Sequence, residues 1–313
     1  MTRADAVVAG WVVELERVVE RLGPRFARSV ARQYCGALGK LANCQVGVFL
    51  LYASAKGAVF LDRALFLPAA WASDPQRRAA GVPTGVEPVT KPQLAGAMLE
   101  RVLVAGVPAG WVTADETYGD DHRLRVLLEQ RSLRYALAVS GKDTVSTVDW
   151  GQRRVGALVA ALSEGGWQWL RLLDPPVAGW ARWLLVRRSP DGPSERQAYV
   201  CVAPVGTTLA ELVAIAGQRW TSEAACEAAK QEVGLGDYEV RSWQGWHRHV
   251  TLALFAHALL VALRAVGLDP VTAEGGRRQQ ATGSSMAAFR QHRAAQERSG
   301  RSPSPRSAVC SLA

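Results

Sequence analysis

Lysine is nearly missing from this chain. Only Lys40, Lys56, Lys91, Lys142 and Lys230 stand among 37 basic residues, and the rest are arginine. Against 28 acids they leave a formal charge of +9 and a pI near 9.7, a balance that favours an anionic partner, most commonly nucleic acid. A GC-rich genome would write the same arginine bias, which makes Lys230 a less casual choice. Cysteine is scarce too: Cys35, Cys44, Cys201, Cys226 and Cys310 are an odd, scattered set without a C-x-x-C pair. That excludes a disulfide framework and a zinc site and fits a reducing, cytoplasmic compartment. The first residues lack a basic n-region followed by an apolar h-region, so no secretory leader is expected. The most apolar late run, Val250 to Leu263, is too short to span a bilayer and holds His257, which predicts a buried helix of a soluble protein. There is no Walker loop, no G-x-S-x-G and no nucleophile–histidine arrangement.

What is present is a globular composition: 313 residues, 49% hydrophobic and 21% charged, enough for one large domain or two ordinary ones. Asp5 to Val19 carries apolar residues at helical spacing (Val8, Trp11, Val12, Leu15, Val18, Val19) and stops near Gly23-Pro24. Val30 to Tyr34, Cys44 to Ala53 and Val59 to Leu67 read as strands, the second buried and paired back on the first. Gly36 to Lys40 is a turn and Trp71 to Pro92 is irregular. Gln93 to Ala105 is a helix, Ala109 to Ala114 a short buried strand running into Asp115-Glu116-Thr117-Tyr118-Gly119, His122 to Gln130 a helix and Tyr135 to Val139 another strand. Strand, helix, strand with acids at a strand's C-terminal end is an α/β arrangement, and that end is where sites form. Lys142 to Thr208 is rich in Trp, Pro and Gly, with antiparallel strands at Trp180–Arg187 and Arg196–Ala203 around a Ser-Pro-Asp-Gly-Pro turn. Thr208 caps a helix from Leu209, and Trp243 to Leu263 forms the last one. From Gly267 the composition turns to Gly, Ser, Pro and Arg, predicting disorder.

One stretch combines the right groups for phosphodiester chemistry. Arg219 to Lys230 has no Gly or Pro and is rich in Ala and Glu, hence helical. Arg219, Glu223 and Lys230 fall along one face at 3.6 residues per turn. A carboxylate between two cations suits a metal-bound phosphodiester, the Glu on the metal and the cations on phosphate oxygens. An exposed helix with an Arg–Glu pair at i, i+4 is the plainer alternative. Asp115, at the end of a buried strand, suits a metal ligand but equally an N-cap. Asp62 alternates within an apolar strand and reads as an edge or ion-pair residue. His247 and His249 are two apart and diverge on a helix, which points to a DNA-facing or capping role rather than a metal pair.

Val30–Gly57, Trp111–Gly119 (WVTADETYG) and Arg219–His249 together resemble the DDE transposases of bacterial insertion sequences, in the branch with a Y-R-E-K signature around the last acid. Arg219, Glu223 and Lys230 satisfy its spacing, while the Tyr position falls on Ala216. Gly234-Leu235 and Tyr238 to Trp246 resemble the run after that helix, and the likeness extends from about Val30 to Leu263.

The resemblance implies a ribonuclease-H-like α/β fold with a mixed sheet, helices and a β-rich insertion, and a chemistry in which three carboxylates hold two Mg²⁺ ions for in-line displacement. Carried over by motif, Asp115 is the second acid and Glu223 the third, both metal ligands, with Arg219 and Lys230 on DNA phosphate. The first acid is not found. Arg25–Ser29 resembles the family's N-terminal domain and runs straight into Val30, so the first strand and its Asp are lacking, as in an internally deleted copy. The sheet then either closes up or takes the Val12–Val19 segment into the gap as a strand. The organisation this implies is a remnant helical domain (1–29), a core (30–141 and 209–266) interrupted by the insertion (142–208), and an Arg-rich tail (267–313). Double-stranded DNA is the implied partner, with a homo-oligomer left open. Three functions remain: a transposase by ancestry, inactive as encoded; a non-catalytic DNA-binding inhibitor of an intact transposase; and a decayed product. An arginine-rich RNA-binding module is a distant fourth.

Overall fold

A computed structural model describes residues 11–18, 31–35, 40–69, 80–162, 166–189, 192–238 and 242–267. Its first sheet is organised on a long strand, β3 (Lys40–Ser54). The strands β1 (Trp11–Val18), β2 (Ala31–Cys35) and β4 (Gly57–Phe66) all run antiparallel to it. Cys44 pairs with both Val18 and Ala31, and Val46 with both Glu16 and Phe66. A strand has two edges, so β1 holds one edge of β3 while β2 and β4 share the other.

The second sheet has the order β5-β6-β11-β10-β9, from β5 (Trp111–Ala114), β6 (Arg134–Val139), β9 (Trp167–Arg171), β10 (Trp180–Ser189) and β11 (Gly192–Pro204). Its first pair is parallel and the others antiparallel. β1 lies alongside β5, so the open edge of the first sheet meets the second. From the Trp-rich region β11 thus hydrogen-bonds onto β6, and β10 and β9 follow it to lengthen the sheet. A small hairpin, β7 (Thr144–Thr147) and β8 (Gly151–Arg154), stands beside it.

Alternation along the strands sorts the core into two sides. Val48, Leu50, Val112, Ala114, Tyr135 and Leu137 share one cluster with α1 (Lys91–Val104), α2 (Glu116–Gly119), α3 (His122–Gln130) and α4 (Val155–Ala161). Their neighbours in sequence point the other way. Trp111, Ala136 and Ala138 meet α5 (Leu209–Gly217), and Phe49 and Leu51 meet α6 (Arg219–Val233) and α7 (Trp243–Ala265). The result is a mixed sheet covered by helices on both faces, which is why its central strands read as continuous apolar runs. Helix ends follow their sequence cues. Thr90 with Gln93 and Thr208 with Glu211 form capping boxes, and α6 stops at Gly234 with φ +67°.

Two expectations need correction. Trp11–Val18 is a strand, not part of a helix. WVVELERV fits helical spacing, but Trp11, Val13 and Leu15 also alternate with Glu14 and Glu16, and pairing with β3 decides between the two. The rest of Asp5–Val19, the Gly36–Gly39 turn, residues 71–79 of the Trp71–Pro92 stretch and all beyond Gly267 lie outside the described residues. The last helix is not simply buried either: α7 is 23 residues long, and Leu252, Phe255 and Leu259 on it are exposed. By length and composition alone it is apolar enough to cross a membrane.

Candidate functional site

Asp115 follows the last residue of β5 with an extended backbone (φ −76°, ψ −177°) and is the N-cap of α2, its Oδ1 accepting from the Thr117 backbone N–H at 2.9 Å. The N-cap alternative is therefore realised. It does not exhaust the residue, because alternation carries Asp115 to the same side as Trp111 and Thr113, the side of α5 and α6. Thr113 was missed by sequence reasoning, yet the parity of the strand marks it. It is buried at 1% exposure, and its Oγ1 has no hydrogen-bond partner, two residues before the acid. The turn after Asp115 is fixed by Gly119, where a Cβ would stand 1.7 Å from the Ala138 carbonyl oxygen. The glycine of WVTADETYG is there so that α2 can lie on β6.

Arg219, Glu223 and Lys230 all lie on α6, which packs over β1. The Arg219 side chain lies outside the described residues. Glu223 and Lys230 are half-buried and flank the buried thiol of Cys226, whose pKa burial pushes up to about 12, with Lys230 pulling it down and Glu223 pushing it up. That places the acid and the lysine on one helix face with the cysteine between them. Lys230 is also a last-turn cation, the position a helix C-terminus favours. In the chain of contacts α6 rests on β1 and β1 lies beside β5, so Asp115 and Glu223 come from elements on either side of β1.

β1 therefore lies between the elements that carry Asp115 and Glu223. Its register tells which positions go to which side. Trp11, Val13, Leu15 and Arg17 pair with Leu51, Phe49, Gly47 and Gln45, the set that includes the α6-facing residues of β3. Glu14 and Glu16 pair with Val48 and Val46, in the alternate set that turns to α1. Neither acid of β1 has the register of the α6 side. Asp62, on β4, pairs with Leu50 and is bound by Arg101 of α1, so it too belongs to the opposite face and is the ion-pair residue its strand position predicts. Among the described residues no three His, Cys, Asp or Glu form a group that could hold a metal ion. Among the described residues the donor set does not fit a two-Mg²⁺ site.

The histidines serve packing and capping. His249 Nε2 is 3.1 Å from the Gly234 carbonyl at the end of α6, and His247 lies between Trp243 and Trp246 with ring centroids 4.4 and 4.8 Å away. A cavity of about 340 Å³ lined by His122, Arg125, Glu129, Thr144 and Arg182 opens on the α3 side. It is on the far face from Asp115 and α6, and its charges are already paired, Arg125 with Asp143 and Arg182 with Glu129.

Comparison with known proteins agrees with this topology. A family model described as DDE superfamily endonuclease matches residues 19–169, a span that includes β2 to β8 and Asp115. No curated protein matches the chain.

Proposed function

The chain is a DDE transposase-type protein with the mixed α/β, ribonuclease-H-like fold of that nuclease superfamily, and from that premise we propose that it binds double-stranded DNA along its α6 face without cutting it. The superfamily acts on DNA. What supports the binding half is the coincidence of a basic chain with Lys230 and Glu223 on one face of α6, on the side to which strand alternation turns Asp115. Arg219 begins the same helix. In this reading Asp115 and Glu223 are the second and third acids of the Y-R-E-K branch, and the arginine and lysine contact phosphate.

The carrying observation for the second half is the register of β1. A two-ion displacement needs a third carboxylate beside the other two, and the α6-facing register of β1 holds Trp11, Val13, Leu15 and Arg17. The chain is then an internally deleted, cytoplasmic element-encoded protein, with a core divided at 141/142 and 208/209 by its insertion. It would occupy transposon ends and antagonise an intact copy.

DNA binding measured against salt tests the reading. Replacing Arg219 and Lys230 by Ala together is expected to lower the slope of log K against log salt by roughly 1.8, two phosphate contacts at about 0.9 each. Replacing two arginines beyond Gly267 is expected to lower affinity less. Equal losses from the two changes would contradict the assignment of the α6 face.

A further inference from the structure

The cavity beside α3 and the β7–β8 hairpin offers more hydrogen bonds than the fold uses. Arg125 and Glu129, both buried, line it together with Arg182 of β10. A guanidinium has five N–H donors. Arg125 uses one on the Gly119 carbonyl and one on Asp143, and Arg182 uses one on the Leu173 carbonyl and one on Glu129. Glu129 accepts from Tyr135 and Arg182 through Oε1 alone. Among the described residues its Oε2, the Thr144 and Ser146 hydroxyls and the Gln152 side-chain amide have no hydrogen-bond partner. Val126 and Val145 add apolar wall.

Charge narrows the ligand. Two guanidiniums meet two carboxylates, Asp143 and Glu129, so these buried groups carry no net charge together. An anion would compete with those carboxylates and an ammonium with the guanidiniums, each leaving a buried charge without its partner. A neutral ligand with a donor beside an acceptor disturbs neither pair. Glu129 Oε2 accepts and the adjoining Arg182 guanidinium donates, and the complement of that pair is the N–H and C=O of a cyclic amide. The valines suit the faces of a flat ring. At about 340 Å³ the cavity is at the small end of ligand sites, with room for a single heterocycle. We infer that it binds a small neutral heterocycle by its lactam edge, the edge shared by hypoxanthine, guanine and uracil. The cavity is on the opposite face from α6, so the inference is independent of DNA bound there, and a free nucleoside is the source.

The test is calorimetry or equilibrium dialysis of the full chain with inosine, uridine, adenosine and 1-methylinosine up to about 10 mM. Inosine and uridine carry the ring N–H beside the carbonyl, whereas adenosine has a bare ring nitrogen there and 1-methylinosine a methyl. The first two are expected to bind with dissociation constants of about 1 mM or tighter. The other two should bind at least about tenfold more weakly, because Glu129 then faces no donor. Val126→Trp, at a position 50% exposed, should crowd the cavity and abolish binding with thermal unfolding unchanged. Glu129→Gln puts an amide N–H₂ where Oε2 was and should remove the lead of inosine over adenosine. Absence of inosine and uridine binding over this range would overturn the inference. So would 1-methylinosine binding as tightly as inosine, displacement of inosine by inorganic phosphate, or binding untouched by Val126→Trp. Displacement of inosine by a single-stranded inosine oligonucleotide at equal base concentration would overturn the assignment to a free nucleoside.

Discussion

Arg101 donates to Asp62 Oδ2 from Nε at 2.9 Å and from a terminal guanidinium nitrogen at 2.8 Å, tying α1 to β4. Both nitrogens converge on the one oxygen, and Arg101 is 58% exposed, so solvent screens much of the attraction. Asp62→Asn and Arg101→Ala are each expected to cost about 0.5–1 kcal/mol in urea unfolding, with most of it shared in a double-mutant cycle. DNA affinity should not change. A loss of DNA binding in Asp62→Asn at unchanged stability would return this acid to the candidate site.

The network around Glu129 is the stronger structural element. Its Oε1 accepts from Tyr135 Oη at 2.8 Å and from Arg182 at 2.6 Å, and Glu129 is 5% exposed. Burial, reinforced by the Glu129 charge, pushes the Tyr135 phenol well above its ordinary range. Glu129→Ala removes the shared acceptor and is expected to cost about 3 kcal/mol. Tyr135→Phe leaves the ion pair and should cost about 1 kcal/mol. Chemical denaturation of both variants checks the ranking.

Gly119→Ala is expected to cost about 3 kcal/mol or more, because the new methyl meets a backbone carbonyl that cannot give way. Gly217→Ala, in α5 with nothing within 4 Å of the added Cβ, should instead gain roughly 0.5–1 kcal/mol from helix propensity. Similar effects at the two positions would mean that α2 does not press on β6.

Acid should weaken the α7 packing. His247 is held at about 4, below its ordinary 6.5, by burial first and by the facing Arg63 second. The unfolded chain therefore binds the extra proton between those values, and the contribution of neutral His247 is complete above pH 6.5 and lost as pH falls through 4. His257 is shifted the same way by burial. The melting temperature should drop over that window, and His247→Gln should flatten the drop. An unchanged slope in the variant would show that other groups carry it.

The strands with both faces enclosed were legible because burial writes an unbroken apolar run: Cys44–Ala53 lies within β3 and Tyr135–Val139 within β6. The helix His122–Gln130 matches its sequence-derived limits, and Thr208 caps where its Glu211 partner says it should. β1 was not legible because eight residues fit two periods and the deciding partner, β3, lies beyond another strand in sequence. The β7–β8 hairpin escaped because Gly151–Arg154 is exposed at every position and so has no alternation to read. At the site, the motifs led to Asp115 and α6. Thr113 needed strand parity, and the exposed side of α7 needed to know which half the fold covers.

Cleavage of DNA carrying the element's own ends, with Mg²⁺ or Mn²⁺, tests the central claim most directly. The chain as encoded is expected to bind these ends and leave them intact, because β1 brings no carboxylate in the α6-facing register to join Asp115 and Glu223. Nicking or strand transfer by this chain, abolished by Asp115→Ala, would contradict it.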